Sequence, residues 1–253
     1  MKNCVFEIRE NRNITDRIWK MTLTRTEDSC DSHGIMRPGQ FVNVKLAGFF
    51  LRRPFSVCDW DRDNLTLLYK VVGKGTEAMR SYLSGTRLEL LTPLGNGFSV
   101  RSERPTEGPV LVVGGGAGIP PLYGLCKALK AAGDNVTVLL GFNTAEEAFY
   151  IQEFKRLGVD VMVVTADGSL GRKGLVTDVI ADISYSYFYA CGPEAMLKAL
   201  DQLIPSEIDG QMSFEERMGC GFGACMGCSC ETKYGSKRIC KEGPVLERSE
   251  ILW

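Results

Sequence analysis

Four cysteines near the end of the chain restrict its possible folds more than any other feature. Cys220, Cys225 and Cys228 have the spacing C-x4-C-x2-C, and Cys240 follows them. This spacing is typical of plant-type [2Fe–2S] proteins, in which one loop encloses two irons and directs backbone amides toward the sulfurs. Intervening glycines permit the positive φ angles and close approaches of such a loop; they are Gly219, Gly221, Gly223 and Gly227. The pattern therefore predicts a [2Fe–2S] cluster and a protein that carries electrons one at a time.

Structural zinc is the alternative for these thiols. Zinc sites more usually combine two C-x2-C pairs, whereas here four residues separate the first two cysteines and Cys240 stands apart from the others. A fifth thiol, Cys230, lies in the same segment and in principle replaces Cys228 as a ligand, but only Cys228 fits the iron–sulfur spacing. The spacing favours iron and sulfur, and zinc stays open as the second interpretation.

Composition and charge limit the classes of binding partner and the cellular compartment that are expected for this chain. The chain has 253 residues, 44% of them hydrophobic, which is enough for two ordinary domains and a small module. Its 30 basic and 31 acidic residues are interspersed, so neither nucleic acid nor an anionic membrane surface is an expected partner. No apolar run reaches the length of a bilayer span, and the first residues do not resemble a signal peptide. The ten cysteines are therefore expected to be metal ligands and reduced thiols, without disulfides, in a cytoplasmic protein.

Hydrophobic patterning divides the chain into three parts. Residues 1–104 contain short alternating segments broken by turns, which predict a small antiparallel β-barrel. Residues 105–210 alternate apolar runs with a helical period, which predicts an open parallel α/β sheet with ligands at the carboxyl ends of its strands. Residues 211–253 form the small cysteine-rich module, and a charged segment at 102–109 with proline and glycine is the expected linker. The predicted strands lie at 19–23, 41–44, 65–69, 88–90, 110–113, 136–140, 159–164 and 187–190, the last of these ending the sheet.

Two segments of the predicted barrel suit phosphate groups. Arg53-Pro54-Phe55-Ser56 combines a permanently charged guanidinium with a hydroxyl three residues later, a pair able to hold a pyrophosphate and a ring edge. Gly73-Lys74-Gly75-Thr76 leads into a short predicted helix at 77–83, whose N-terminal amides suit the same phosphate. A solvated arginine is the alternative for the first motif. Together the two segments predict a dinucleotide site in the barrel.

A glycine-rich turn follows the first buried strand of the predicted sheet. In Gly114-Gly115-Gly116-Ala117-Gly118 the backbone can approach a pyrophosphate, although a plain tight turn is the alternative. The pattern departs from G-x-G-x-x-G because Ile119 replaces the third glycine. The next strand is followed by Gly141-Phe142-Asn143 and not by an acidic residue, so a standard Rossmann dehydrogenase is disfavoured. The lack of an arginine at the same place favours NAD over NADP.

The last predicted strand ends in Ala190-Cys191-Gly192-Pro193, at the sheet edge where ligands bind. Cys191 is a candidate nucleotide contact, with a small buried hydrophobic residue as the alternative. His33 is the only histidine and lies in a polar segment at 31–34, so it is expected to be solvated and not catalytic. Acid–base chemistry on a metabolite therefore lacks its usual side chain, and no catalytic residue is predicted.

In chain order, these motifs resemble those of the ferredoxin–NADP reductase superfamily along the whole chain. Arg53-Pro54-Phe55-Ser56 is similar to its flavin motif, the glycine-rich turn to its nucleotide loop, and Ala190-Cys191-Gly192-Pro193 to its nicotinamide-side motif. Within the superfamily, Cys240-Lys241-Glu242-Gly243-Pro244-Val245-Leu246 resembles the end of the cluster module in electron-transfer subunits of B-type dihydroorotate dehydrogenases. That family usually has Asp-Gly-Pro-Val-Phe, so Glu242 and Leu246 depart from the pattern without removing a cluster ligand.

The resemblance implies three redox groups: FAD in the barrel, NAD on the α/β domain and a [2Fe–2S] cluster in the module. The implied FAD contacts are Arg53, Pro54, Phe55, Ser56, Tyr69, Lys70, Val71, Gly75 and Thr76. On the NAD side they are Gly114, Gly115, Gly116, Ala117, Gly118, Cys191, Gly192 and Pro193, and the cluster ligands are Cys220, Cys225, Cys228 and Cys240. The resemblance also implies a catalytic partner subunit that holds FMN and the orotate site, in a heterotetramer with two subunits of each kind.

The implied function is electron transfer in pyrimidine biosynthesis, from dihydroorotate at the partner's FMN through the cluster and FAD to NAD. A flavin must lie between the other two groups, because nicotinamide exchanges two electrons as hydride and the cluster takes one at a time. No part of the chain is left for a substrate domain, which is the sequence reason to expect a partner; Met218, Phe222 and Met226 are candidate apolar contacts with it. The rivals are an electron-transfer subunit of a sulfhydrogenase or a bifurcating ferredoxin–NADP oxidoreductase, a self-sufficient NADH oxidoreductase, and a zinc-stabilised binding module without flavin.

Overall fold

The first six strands close into an antiparallel barrel. In the computed structural model, which describes residues 1–100 and 108–253, these strands are β1 (Lys2–Asn13), β2 (Ile18–Arg25), β3 (Phe41–Val44), β4 (Arg53–Trp60), β5 (Asn64–Lys70) and β6 (Arg87–Leu94). They pair in the order β1-β2-β5-β4-β3-β6, and β6 returns to β1. Alternate residues of β1 and β2 fill the interior, where Phe6, Ile8, Met21 and Leu23 are completely buried. The predicted barrel is confirmed.

A short helix, α1 (Lys74–Arg80), connects β5 to β6. The hydroxyl of Thr76 caps its first turn by accepting the N–H groups of Val72 and Gly73 and donating to the Gly73 carbonyl. As the third residue of the helix, Thr76 thus binds the N–H groups that immediately precede the helix, which is the part of a capping box that this position plays. The predicted helix at 77–83 was therefore wrong in its bounds, because the segment expected to precede the helix is its first turn.

The second part of the structure is a seven-stranded sheet in the order β10-β9-β8-β7-β11-β12-β15. Its strands are β7 (Val110–Gly115), β8 (Val136–Phe142), β9 (Asp160–Thr165), β10 (Arg172–Lys173), β11 (Tyr187–Cys191), β12 (Gly210–Ser213) and β15 (Val245–Glu247). Between β12 and β15 the chain forms a separate hairpin of β13 (Ser229–Thr232) and β14 (Gly235–Arg238). The helices are α2 (Ile119–Ala131), α3 (Ile151–Arg156) and α4 (Glu194–Leu203). All strand pairs are parallel except β12 with β15, so the predicted open parallel α/β arrangement is confirmed.

The sheet continues beyond the strand that was predicted to end it. β12 pairs in parallel with β11, and β15 pairs antiparallel with β12, so the cysteine module contributes a strand to the sheet. The prediction was wrong because these strands are only four and three residues long, too short for a hydrophobic period to be recognised. The predicted boundary between residues 104 and 105 and most of the predicted linker lie outside the described residues. The boundary between 210 and 211 falls within β12.

Helix α2 packs the sheet against the barrel. At Gly124 the helix comes so close to β4 that a Cβ atom would lie 2.8 Å from the Trp60 ring. Beside this contact, Lys127 Nζ forms an ion pair with the carboxylate of Asp59 at 2.8 Å. Glycine at position 124 therefore permits the close packing of the two parts. No helix in the described part of the chain is long and apolar enough to cross a bilayer.

Two predictions about individual residues were wrong. Cys4 and Cys30 form a disulfide, because the loop after β2 brings their Cα atoms to 5.4 Å, a proximity that their separation of 26 residues does not reveal. His33 is buried and not solvated. Its Nδ1 accepts the N–H of Ile35, so Nε2 carries the proton and donates to the Asp61 carbonyl at 2.6 Å. Both ring nitrogens thus serve to fold the loop.

Arg248 ties the end of the chain to α4. Its guanidinium donates to the carbonyls of Asp201, Ile204, Pro205 and Ile208, and it pairs with the Asp201 carboxylate at 2.7 Å. Because the last carbonyls of a helix have no partners within the helix, this side chain satisfies that of Asp201 and that of the C-cap residue Ile204, besides two carbonyls of the segment that follows. The same network holds the cysteine module against the α/β part.

We expect Arg248→Ala to lower the free energy of unfolding by about 3 kcal/mol, because the carbonyls that follow α4 lose charged donors. The measurement is chemical denaturation followed by circular dichroism. Arg156→Ala is the control: it removes an exposed ion pair with Glu153 and should cost less than about 1 kcal/mol. Equal losses in the two variants would contradict the role given to Arg248.

Candidate cofactor-binding site

A cavity of about 410 Å³, the central cavity, lies where the barrel, the sheet and the cysteine module meet. All three parts contribute to its walls. The barrel supplies Arg53, Pro54, Phe55, Ser56, Tyr69, Lys70 and Thr76, the sheet supplies Ala117, Pro120 and Cys191, and the module supplies Phe214, Met218 and Pro244. The structure therefore brings most of the predicted flavin contacts together with residues that are distant in the sequence.

Arg53 and α1 meet at the edge of the central cavity. Nη1 of Arg53 donates to the Leu51 carbonyl at 2.6 Å, and its guanidinium lies 5.3 Å from the centre of the Phe49 ring. A Cβ atom at Gly75 would lie 2.9 Å from Nε of Arg53, so glycine allows the helix to pack directly against the guanidinium. The two phosphate-suited segments predicted from the sequence thus lie side by side.

Three predicted flavin contacts are placed differently from the rest. Val71 packs against the barrel core, and Gly75 lies behind Arg53; neither is part of the wall of the central cavity. Thr76 does line the cavity, but its hydroxyl proton is donated to the cap of α1. Val71, Gly75 and Thr76 therefore help to set the shape of the segment after β5 and of α1, which packs against Arg53.

Tyr69 contributes its ring to the wall of the central cavity. Its hydroxyl donates to Oδ1 of Asn11 at 2.9 Å, and burial raises the pKa of this phenol above its usual range. Phe55 meets the ring edge-on at a centroid distance of 5.9 Å. This wall is aromatic and apolar, which suits a flat ring system.

A second cavity, the nucleotide cavity, has a volume of about 490 Å³ and lies at the carboxyl edge of the sheet. It is lined by Gly115, Gly116, Ala117, Gly141, Phe142, Asn143, Glu147, Gly174, Leu175, Thr177, Pro193 and Met196. This is the position expected for a ligand of an open α/β sheet. Lys70 and Ala117 line both cavities, so the two adjoin.

The two predicted nucleotide motifs meet at this edge of the sheet. β7 and β11 pair with Gly114 opposite Cys191. A Cβ atom at Gly118 would lie 2.3 Å from the carbonyl oxygen of Cys191 and 2.5 Å from the nitrogen of Gly192, so glycine is needed for the turn to cross this strand end. Gly114 packs beneath α2, against Leu122, and does not line the nucleotide cavity.

Cys191 is buried in the wall of the central cavity. Its side chain is 2% exposed, and burial raises the pKa of its thiol to about 12. At neutral pH it is therefore an uncharged thiol and not a nucleophile. The following residues, Gly192 and Pro193, line a third cavity of about 350 Å³ on the other side of Phe214.

Glu147 is a site residue that the sequence analysis missed. Its carboxylate accepts a hydrogen bond from Nδ2 of Asn143 at 2.7 Å, and both residues line the nucleotide cavity. The analysis considered only the residues directly after β8, whereas a short 3-10 turn, Ala145–Glu147, folds this acid back toward the strand end. The pair of adjacent glutamates in that turn was the available signal. Among the described residues that line this cavity, Lys70 is the only basic one.

The four predicted cluster ligands form two pairs. The N–H of Cys220 donates to Sγ of Cys225 at 3.4 Å, and the N–H of Cys225 donates to Sγ of Cys220 at 3.5 Å. Cys228 and Cys240 are buried together, with the Cys240 N–H donating to Sγ of Cys228 at 3.4 Å. Within residues 1–100 and 108–253, no three His, Cys, Asp or Glu side chains are placed to share one metal ion. Two pairs suit two irons with two thiolates each better than one tetrahedral zinc.

Backbone N–H groups favour negative charge on Cys220, one member of the more exposed pair. Burial opposes ionisation of Cys220, but the N–H groups of Phe222, Cys225 and Ala224 point at its sulfur and lower its pKa to about 6. Burial and the neighbouring thiol of its pair raise the pKa of Cys240 to about 12. Cys240 is therefore a neutral thiol at neutral pH unless a nearby cation stabilises its thiolate, which suits a metal site.

Cys230 lies apart from the two pairs. It is half-buried on β13 and lines the third cavity together with Glu216 and Glu231. Burial, followed by these carboxylates and Cys228, raises the pKa of its thiol. The structure places Cys228, and not Cys230, beside Cys240.

A barrel with a flavin-type motif, a parallel sheet with a nucleotide cavity and a four-thiol module define an oxidoreductase of the ferredoxin–NADP reductase fold. One similar solved chain comes from a study of flavin-based electron bifurcation by the NADH-dependent reduced ferredoxin–NADP oxidoreductase. It has a TM-score of 0.85 and 30% identity, covering 98% of this chain and 90% of that one. A ferredoxin NADP+ reductase from Neisseria gonorrhoeae with bound FAD and NADP shares the fold, with a TM-score of 0.68 and 17% identity over 80% of this chain and 90% of that one.

Relatives in sequence are more specific than the fold. Residues 112–202 match the oxidoreductase NAD-binding domain, and residues 215–252 match the iron–sulfur cluster binding domain of dihydroorotate dehydrogenase B. The dihydroorotate dehydrogenase B (NAD(+)) electron transfer subunit of Bacillus velezensis is 40% identical over 99% of each chain. That of a Geobacillus species is 46% identical over 85% of this chain and 86% of the relative. The chain belongs to the family of electron transfer subunits of dihydroorotate dehydrogenase B.

Because Cys228 and not Cys230 lies beside Cys240, the two serine variants should differ. We expect Cys228→Ser to lose most of the iron and acid-labile sulfide, whereas Cys230→Ser should keep a full content of both. The measurement is iron and sulfide analysis of anaerobically purified protein, with the visible spectrum of the cluster. Full cluster content in Cys228→Ser would remove this residue from the ligand set.

Proposed function

We propose that this chain passes electrons from the FMN of a dihydroorotate dehydrogenase catalytic subunit, through a [2Fe–2S] cluster and FAD, to NAD in pyrimidine biosynthesis. The observation that carries the proposal is the central cavity, whose walls combine the barrel, the end of β11 and the cysteine module. A group bound there touches both the nucleotide side and the cluster side of the protein. Membership of the family of electron transfer subunits supports the substrate and the direction.

In this proposal each part of the chain has a distinct task. A bound flavin supplies the exchange between two-electron hydride and single electrons. Arg53 and the first turn of α1 hold its phosphates, Phe55, Ser56 and Tyr69 border its ring, and Lys70 lies where the flavin and nucleotide cavities adjoin. Cys191 forms part of the wall of the central cavity as an uncharged thiol, so it does not act as a nucleophile toward a bound group. Pro54 and Thr76 are proposed as further FAD contacts, and Gly115, Gly116, Ala117 and Pro193 as NAD contacts. The other predicted residues are proposed to shape the segments beside these sites; they are Val71, Gly75, Gly114, Gly118 and Gly192.

The same proposal covers the module, the domains and the compartment. Cys220, Cys225, Cys228 and Cys240 hold the cluster. The domains are residues 1–104 for FAD, 105–210 for NAD and 211–253 for the cluster, with β12 shared across the last boundary. We propose the cytoplasm as the compartment, with support from the eight cysteines that form no disulfide. Cell fractionation followed by immunodetection tests this assignment.

The catalytic subunit is proposed to dock beside the cluster loop, in a heterotetramer with two subunits of each kind. Phe222 and Met226 support this, because they are 43% and 55% exposed next to the outer thiol pair. Met218 does not belong to this surface: it is half-buried and lines the central cavity. An interface beside the cluster keeps the path of the electron to the partner's flavin short.

Replacing Phe222 by glutamate places a charge in the proposed interface. We expect Phe222→Glu to reduce co-purification of the catalytic subunit at least about tenfold, because a charged side chain resists desolvation, and to leave FAD bound. Affinity purification of the co-expressed subunits, with the FAD content of the eluate, provides the measurement. Tyr234→Glu is the matched control, since Tyr234 is 77% exposed at the β13–β14 turn. Undiminished co-purification with Phe222→Glu would exclude this residue from the interface.

Glu147 is proposed to select NAD. A carboxylate held by Asn143 at the mouth of the nucleotide cavity suits the hydroxyls of the adenosine ribose and repels a 2′-phosphate. We expect Glu147→Arg to weaken NADH binding and to strengthen NADPH binding, each by about tenfold, as for one charged hydrogen bond. Glu146→Gln changes the neighbouring acid, which does not line the nucleotide cavity, and should alter neither affinity. Fluorescence titration of the anaerobic flavoprotein with both nucleotides measures this, and an unchanged preference in Glu147→Arg would contradict the proposal.

Reconstitution tests the function directly. The chain is co-expressed with the FMN-containing catalytic subunit, purified anaerobically and assayed for NAD reduction that depends on dihydroorotate. Activity that requires both subunits supports the proposal. A complex with FAD and cluster in place but without this activity would reject it.

A second function has one specific observation in its favour. The similarity at a TM-score of 0.85 and 30% identity is to a chain from an NADH-dependent reduced ferredoxin–NADP oxidoreductase. On that basis the chain would serve in a bifurcating complex that uses ferredoxin. Ferredoxin reduction in the presence of NADPH, absent with dihydroorotate, would favour this alternative.

A further inference from the structure

Asn43 connects the barrel to the outer thiol pair. It lies on β3 opposite Pro54 of β4, so it is one strand away from the flavin motif. Its side chain is 1% exposed, and Nδ2 donates to the carbonyl of Cys220 at 3.3 Å. A Cβ atom at Gly221 would lie 2.2 Å from that Nδ2, so the glycine lets the loop rest on the amide. The barrel thus contacts the cluster loop at its first ligand.

Asn96 connects the barrel to the segment that follows the last ligand. It comes two residues after β6, and its Nδ2 donates to the carbonyls of Val245 at 2.7 Å and Glu242 at 3.1 Å. Its Oδ1 accepts the N–H of Val245, and its backbone N–H donates to the Gly243 carbonyl. All these partners lie in the segment directly after Cys240, within five residues of this member of the inner thiol pair.

The burial of Asn43 argues for a role beyond stability. Among the described residues, no donor reaches its Oδ1, which is completely buried. A buried amide oxygen without a partner costs free energy that an apolar side chain at this position would not incur. The single bond to Cys220 is therefore the property that distinguishes asparagine from an apolar residue here.

We propose that Asn43 and Asn96 are positioning residues that set the geometry between the flavin site and the cluster, and thereby the rate of the electron step between them. β15 and Arg248 attach the module to the sheet and to α4, whereas the flavin motif lies in the barrel. The two asparagines bridge the module directly to the barrel, one beside each thiol pair. This inference rests on the proposed function, since it requires both groups to be redox partners.

The test uses the holoprotein with NADH, without partner subunit or dihydroorotate. Rapid mixing follows flavin reduction by absorbance, and freeze-quench electron paramagnetic resonance follows cluster reduction in the same samples. In Asn43→Ala and Asn96→Ala we expect flavin reduction to be unchanged and cluster reduction to slow by about tenfold or more, because small displacements of reacting groups cost large factors in rate. Asn64→Ala, which removes side-chain hydrogen bonds to Asp61 and Thr24 within the barrel, should alter neither rate.

A second readout does not require the cofactors. In the apoprotein, Asn43→Ala should increase hydrogen–deuterium exchange of residues 219–228, and Asn96→Ala that of residues 241–245, each without change in the barrel core.

The electron paramagnetic resonance signal in the kinetic experiment comes only from molecules that hold the cluster, so partial loss of iron does not obscure the rates. Cluster reduction at the wild-type rate in both variants, or complete loss of the cluster from both, would overturn the proposal in favour of a structural role. Failure of NADH to reduce the wild-type cluster would instead reject the proposed function.

Discussion

The pairing of β15 with β12 is the interaction on which the arrangement of the three parts depends. This short antiparallel contact turns the cysteine module from an appended segment into the edge of the nucleotide-binding sheet. The module and the sheet then share one core, in which Cys228, Cys240 and Leu246 are buried with Leu111 and Phe188. Because the inner thiol pair is part of that core, its position relative to the strand ends is fixed by packing.

Polar contacts complete this edge. Gln211 on β12 donates to the carboxylate of Glu247 on β15, and Tyr187 on β11 reaches the same carboxylate. Burial raises the pKa of Glu247, so these donors stabilise a carboxylate that is costly to bury. With the module held at this edge, the central cavity lies between the end of β11 at Cys191, Phe214 of the module and the barrel, which forms the opposite wall.

The thiol pairs are prepared for a metal in different ways. Around Cys220 the chain supplies backbone dipoles, and positive φ at Gly221, Gly223 and Met226 turns successive amides toward the sulfurs. Around Cys240, burial and the neighbouring thiol raise the pKa, so a bound metal cation would favour the thiolate there. One side of the site is thus open to solvent and the other is embedded in the protein core, which suits an electron carrier that exchanges electrons on both sides.

Local patterns in the sequence determined the class of fold and the type of site. The C-x4-C-x2-C spacing, the alternation in β2 and the apolar runs of β7 and β8 are properties of contiguous residues, so they can be recognised without knowing what packs against them. The tertiary structure decided most of the rest, because those features depend on residues distant in sequence. β12 and β15 are strands only through their neighbours, Cys30 meets Cys4 across a loop, and His33 is buried where its ring donates to the Asp61 carbonyl. Glu147 enters the nucleotide cavity through a local turn after β8, but the cavity itself is formed by separate strand ends.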